Sequence, residues 1–144
     1  MTEPPTPLDE TPHRLVNPDT LPPPVGFAHA VVAVPGSAVF LGGQAGHRAD
    51  GTLAGEDLVA QFDQAAANVA EALRAAGGRP EHLVQVLIFV TDVGEYRDRL
   101  ADLGALWRQR FGRHFPAVAL MGVTELFDPA AKVELVAVAV VPPA

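Results

Sequence analysis

Glu134 is the residue of this chain most open to chemistry. It stands second in VELVAVAVV (133–141), between Val133 and Leu135, at the head of an apolar run to Val141. An unpaired buried charge is very costly, so a carboxylate here is paired, protonated or exposed to a cavity. In an apolar pocket it would act as a general acid or base, its pKa raised by desolvation above the ordinary value of about 4.3. A structural carboxylate, paired with an arginine or bonded to backbone, is the other reading. Strand period places Glu134 on the face of Val136 and Val138.

The other polar residues exclude more than they offer. The absence of cysteine removes disulfides, thiolate metal ligands and cysteine nucleophiles together. Ser37 is the only serine, and it lies in a Pro-Gly-Ser turn without a Gly-x-Ser-x-Gly context. His13, His29, His47, His82 and His114 show no short ligand spacing, so no metal is expected. Gly42-Gly43 either lets a ligand approach the backbone or marks a β-bulge or strand-end bend. It is no dinucleotide fingerprint, because the next helix begins too far downstream. Arg108, Arg110 and Arg113 end a helix whose dipole they complement, and one of them reaching a pocket is the alternative.

The elements that must position these residues follow from periodicity. Met1 to Pro24 holds eight of the fourteen prolines and is expected to be an extended or partly disordered arm. His13 to Val16 would add a short edge strand. Residues 25–144 form one domain. Within it, Phe27 to Val34 and Ala38 to Leu41 read as a hairpin across Pro35-Gly36-Ser37. Glu56 to Ala76 is a helix with an apolar stripe of Leu58, Phe62, Ala65, Val69 and Leu73. His82 to Thr91 is a central strand. Val93 to Phe111 is a second helix, with Asp92 and Glu95 as a capping box and an apolar stripe of Tyr96, Leu100, Leu103, Trp107 and Phe111. Val118 to Val123 and Val133 to Val141 read as a wide hairpin turning at Asp128-Pro129. The order β-β-β-α-β-α-β-β predicts an α+β domain with one mixed sheet and both helices on one face. The other face is also apolar, and self-association would cover it.

At 144 residues the chain can bury roughly 70% of its unfolded surface. The net charge is −7, with nine arginines and the single Lys132, so nucleic acid is not an expected partner. The longest apolar run is too short to span a bilayer, and MTEPPTPLDE lacks the core of a signal peptide. No membrane partner is expected, and a cytoplasmic location is.

Element order and several local motifs together resemble the Rid family, also called YjgF-like. The matching pieces are Val39-Phe40-Leu41-Gly42-Gly43-Gln44, the helix ending in Ala-Ala-Gly-Gly at Gly78, and Ile88-Phe89-Val90-Thr91-Asp92. Phe111-Gly112, Phe115-Pro116-Ala117 and Val133-Glu134-Leu135 complete the set. The resemblance spans roughly residues 26 to 141 and implies a chorismate-mutase-like fold and a homotrimer with ligand pockets at the subunit interfaces. It also implies cofactor-free hydrolysis of reactive imines and enamines. By that resemblance Glu134 is the catalytic, water-orienting carboxylate. The pocket then holds Phe27, His29, Gly42, Gly43, Val118 and Leu120, with Val118 and Leu120 as the wall opposite Glu134.

The chain departs from the family pattern at telling places. Val118 replaces the arginine that clamps a substrate carboxylate, and valine has no bidentate donors. Phe27 stands for a tyrosine, Gly42 for a small hydroxyl residue and Gly104 for an asparagine. Two functions follow. One is a diverged hydrolase or deaminase-like enzyme acting on an imine, enamine or related intermediate. The other is a metabolite-binding or regulatory trimer without turnover. RNA cleavage, a label some relatives carry, is opposed by the negative charge.

Overall fold

The computed structural model describes residues 10–144. Four strands make the main sheet: β3 (Ser37–Ala45), β4 (Leu83–Val90), β5 (Ala117–Gly122) and β6 (Val133–Val141). They lie side by side in the order β3-β6-β4-β5, antiparallel except for the parallel pair β4 and β5. A separate ribbon pairs β1 (Arg14–Val16) with β2 (Ala30–Val32). Helix α1 (Leu58–Ala75) packs on β3, β6 and α3 (Leu100–Phe111), and the short α2 (Val93–Asp98) precedes α3. This is the expected mixed α+β architecture.

Several expected pairings are corrected. The two halves of the wide hairpin, β5 and β6, are not neighbours, because β4 lies between them and pairs with both. An apolar strand such as β6 is stabilised by a ladder on each edge, and composition does not say which strand supplies it. The hairpin across Pro35-Gly36-Ser37 does not form either: β2 pairs with β1, and β3 pairs with β6. Strand β3 also runs on through Gly42-Gly43 to Ala45, with a register shift between Leu41 and Gln44. The second helix is two helices. Arg99 breaks it at φ −108° and ψ 18°, its guanidinium tied to Asp102 at 3.1 Å and Asp57 at 3.2 Å. Leu100, expected in the apolar stripe, is consequently 58% exposed.

Of the proline-rich arm, residues 1–9 lie outside the described residues, and the segment from Thr11 to Val16 is docked. Thr11 Oγ1 donates to the Glu81 carbonyl at 2.8 Å. His13 is buried, its Nδ1 accepting from Val34 N–H, so Nε2 carries the proton donated to the His82 carbonyl at 3.0 Å.

The α1 stripe packs against one face of the sheet and is fully buried with Val133, Leu135, Ala137 and Ala139 of β6. Alternation sends Glu134, Val136, Val138 and Val140 to the opposite face, where each is half-buried. Phe40, opposite Val138 on that face, is 79% exposed.

One buried polar side chain joins these layers. Gln61 of α1 is 0% exposed. Its Nε2 donates to the carbonyls of Gly55 at 2.9 Å and Ala130 at 3.2 Å, while Oε1 accepts from Lys132 N–H at 2.7 Å. Gln61→Leu would fill the space but take the side-chain partner from three part-buried backbone groups, each bond worth about 1 kcal/mol. The expected outcome is a loss of roughly 3 kcal/mol in denaturant unfolding.

His114 is the second buried polar link. Its Nε2 donates to the Leu83 carbonyl at 2.7 Å, and its own carbonyl accepts from Trp107 Nε1 at 3.0 Å. Burial holds the imidazole below its ordinary value of 6.5, outweighing the bond to Leu83. Desolvation lowers His82 in the same direction. The unfolded chain therefore binds protons that the folded chain does not, so stability falls as pH drops below about 6.5. The unfolding midpoint should be flat from pH 8 to 7 and fall towards pH 5.5. The slope should be shallower in His114→Gln, even though that variant starts less stable.

Candidate functional site

Glu134 sits opposite Ala45 of β3 and Phe89 of β4, on the face without helices. The bulge in β3 brings Gly43 directly against it. A Cβ on Gly43 would lie 2.9 Å from both Cδ and Oε2 of Glu134, so only glycine lets the carboxylate rest on the strand. The Gly42-Gly43 pair is therefore a bulge that also clears space for a functional group. Gly42 itself is open, with nothing within 4 Å of its Cβ direction.

Around Glu134 lies a cleft of about 490 Å³ bordered by Gly43, Ala45, His47, Phe127 and Asp128. His47 Nε2 and Asp128 Oδ2 are 2.9 Å apart. That bond, followed by the one from Ala130 N–H, holds the Asp128 carboxyl below the usual carboxylate range. Among the described residues Glu134 has no hydrogen bond or ion pair, so its oxygens are available to water or a ligand. Phe127, at the rim, is 103% exposed.

A second cavity, of about 600 Å³, opens between β5 and the helices. Phe27, Val118 and Leu120 line it, with Phe62, Tyr96, Leu103, Trp107 and Phe115. Val118 is opposite Val86 and Leu120 opposite Ile88, both buried beneath the helices. Val118 and Leu120 thus face the helix side, whereas Glu134 faces the other. The expected single pocket, with these two residues as the wall opposite Glu134, does not form within one chain: the sheet stands between its parts. His29 lines neither space. Its Nε2 donates to the Pro22 carbonyl at 2.8 Å and its ring meets Phe27 edge-on at 5.1 Å, so it props the loop that carries Phe27.

Sequence reasoning passed over three residues at these sites. His47 and Asp128 are far apart in the chain and carried no spacing signal. Tyr96 was read as part of an apolar stripe, yet it faces the second cavity, and burial raises its phenol pKa, keeping it neutral. Arg108, read first as a complement to the helix dipole, also lines that cavity. Among the described residues no three His, Asp or Glu side chains converge as a metal set.

The family model described as Endoribonuclease L-PSP matches residues 19–141. Among solved structures, YyfB of Yersinia pestis, a protein of unknown function in the conserved Rid family, is 33% identical. It aligns over 90% of this chain and 98% of its own, with a TM-score of 0.81. Rv2704 of Mycobacterium tuberculosis, from the YjgF/YER057c/UK114 family, is 32% identical over 81% of this chain and 88% of its own, with a TM-score of 0.60. RidA from an Antarctic Psychrobacter is 25% identical over 89% and 99%, with a TM-score of 0.64. No curated protein matches.

Glu134→Gln tests the environment of the carboxylate. With no partner charge to strand, the variant should unfold within about 0.5 kcal/mol of the parent. A loss of roughly 3 kcal/mol in thermal or denaturant unfolding would instead mark a buried ion pair.

Proposed function

The chain belongs to the Rid (YjgF-like) family, and on that premise we propose that it binds a small reactive metabolite in pockets between three copies and hydrolyses it. The observation that carries this reading is the Glu134 carboxylate, unpaired among the described residues and lying on the bare backbone of Gly43. A carboxylate so placed is suited to holding a water and taking its proton.

The step is hydrolysis of a carbon–nitrogen double bond. Water adds its oxygen to the imine carbon while Glu134 accepts the proton. Glu134 returns that proton to nitrogen, giving a carbinolamine; it then takes the proton of the new hydroxyl and passes it to nitrogen as the C–N bond breaks, and the products are a carbonyl compound and ammonia. No cofactor enters the balance.

Assembly would supply what one chain lacks. The cleft at Glu134 and the cavity at Phe27, Val118 and Leu120 lie on opposite faces of the sheet, so only a neighbouring copy can bring one against the other. The exposed Phe127 beside Glu134 and the apolar face carrying Phe40, Val136 and Val138 are surfaces that such copies would cover. RNA is disfavoured as substrate by the net charge of −7.

Light scattering at micromolar concentration should give a trimer, and a stable monomer would sink the intersubunit site. In a coupled assay with an amino-acid dehydratase or oxidase, imines of small amino acids should be hydrolysed at least about a hundredfold more slowly than by a relative with arginine at the Val118 position. That factor reflects the missing bidentate contact. Glu134→Gln should abolish any turnover with the trimer intact. Ligand binding without turnover in the parent protein would favour the metabolite-binding alternative.

A further inference from the structure

Two titratable side chains besides Glu134 border its cleft, and they are bonded to each other. His47 Nε2 and Asp128 Oδ2 are 2.9 Å apart, while Asp128 Oδ1 accepts from Ala130 N–H at 2.9 Å. Both oxygens of the aspartate are thus engaged. These bonds hold its carboxyl below the usual carboxylate range, so near neutrality it is ionised and only accepts. The proton in the His47–Asp128 bond therefore belongs to Nε2. Nδ1 is left as the free nitrogen of the ring, a bare lone pair in the neutral form and a donor in the imidazolium. It has no partner among the described residues and is not buried.

The backbone holds this ring in place. Ala45 is the cross-strand partner of Glu134, and His47 follows it by two residues, roughly 7 Å at the rise of a strand. Asn68 of α1 donates to the carbonyls of both, at 3.2 Å to Ala45 and 2.8 Å to His47. Between them Gly46 lies so close to α1 that a Cβ would meet the Gln61 carbonyl oxygen at 2.6 Å. The neighbouring Arg48 turns its guanidinium to the Leu53 and Ala54 carbonyls, at 2.8 and 3.1 Å, and leaves the aspartate to the imidazole.

We propose that His47 is a second proton-transfer residue of this cleft, oriented by Asp128 and acting in alternation with Glu134. This rests on the hydrolase reading above and divides its proton transfers between two groups. With Glu134 ionised and His47 as imidazolium, water adds its oxygen to the imine carbon. Glu134 takes a proton from that water, and His47 Nδ1 gives its proton to the imine nitrogen. The carbinolamine then faces a neutral imidazole and a carboxylic acid. Nδ1 takes the proton of the new hydroxyl, Glu134 gives its proton to nitrogen, and the C–N bond breaks. A carbonyl compound and ammonia leave, and both side chains are back in their starting forms. Each group serves as acid once and as base once, which a lone carboxylate achieves only by crossing between oxygen and nitrogen. Asp128 supplies the counter-charge for the imidazolium and keeps the exchanging proton on Nδ1.

Nitrogen-15 NMR of the intact protein distinguishes the tautomers, with the His47 signals identified by their loss in His47→Gln. Once neutral, His47 is expected as the Nε2–H tautomer. In Asp128→Asn the Ala130 N–H should keep the amide oxygen, so the NH2 group faces Nε2 and drives the proton to Nδ1. An Nδ1–H tautomer in the parent protein, or an unchanged one in Asp128→Asn, would overturn the assignment. Catalysis is followed with benzophenone imine, a neutral N–H ketimine, as release of ammonia above the uncatalysed rate. His47→Gln should lower kcat at least about a hundredfold, with assembly and unfolding midpoint kept. In the parent protein kcat/KM should fall at low pH, as Glu134 protonates, and at high pH, as the imidazolium is lost. The high-pH limb should vanish in His47→Gln, whereas a purely structural His47 would leave it in place. Full turnover in His47→Gln would overturn this proposal and leave the hydrolase reading standing. No hydrolysis by the parent protein would sink both.

Discussion

The buried amide of Gln61 decides where the last strand begins. It ties α1 to the Gly55 carbonyl on one side and to Ala130 and Lys132 on the other. The chain entering β6 is thereby pinned one residue before Val133. Side chains alternate along a strand, so that pin also fixes parity: Val133 goes under α1 and Glu134 goes to the open face. A slip of one residue would bury the carboxylate among leucines and valines and expose the core face to water. Fully satisfied, a buried polar group of this kind specifies one register more sharply than apolar packing can.

The same alternation makes the sheet a partition. β6 sits between β3 and β4, so both its edges are paired and only its two faces remain to be used. One is closed by helices and holds the core. The other carries Glu134, the glycine that makes room for it and a set of half-exposed valines. The cavity at the β5 edge opens on the helix side of this partition. A pocket combining the carboxylate with that cavity is therefore a property of an assembly, and each copy would contribute one part to each of two pockets.

Charge reinforces this division. Most positive groups on the helices are spent on neighbouring carboxylates, as an acidic chain allows. Arg97 of α2 and Arg108 of α3 have no carboxylate partner among the described residues. Glu134 is likewise left without a cation among the described residues.

Much of this was legible in order and period. The apolar stripe of α1, the alternation of faces along β6, the odd carboxylate in VELVAVAVV and the glycine pair before Gln44 are local patterns, and each reports local geometry faithfully. Strand neighbours are not local. Whether β6 lies beside β5 or β4 depends on which ladder leaves the fewest unpaired edges across the whole sheet, and the turn at Asp128-Pro129 suited either arrangement. The break at Arg99 carried no local signal either: its guanidinium meets Asp102 of α3 and the distant Asp57, a contact between elements. The candidate site divides along the same line. Glu134 and Gly43 stood out because an acid or a bare backbone is anomalous in a strand, whatever the fold. His47 with Asp128, and Arg108 with Tyr96 and Val118, become neighbours only when helices, loops and sheet are packed, because their proximity is set by contacts between elements and not by spacing within one.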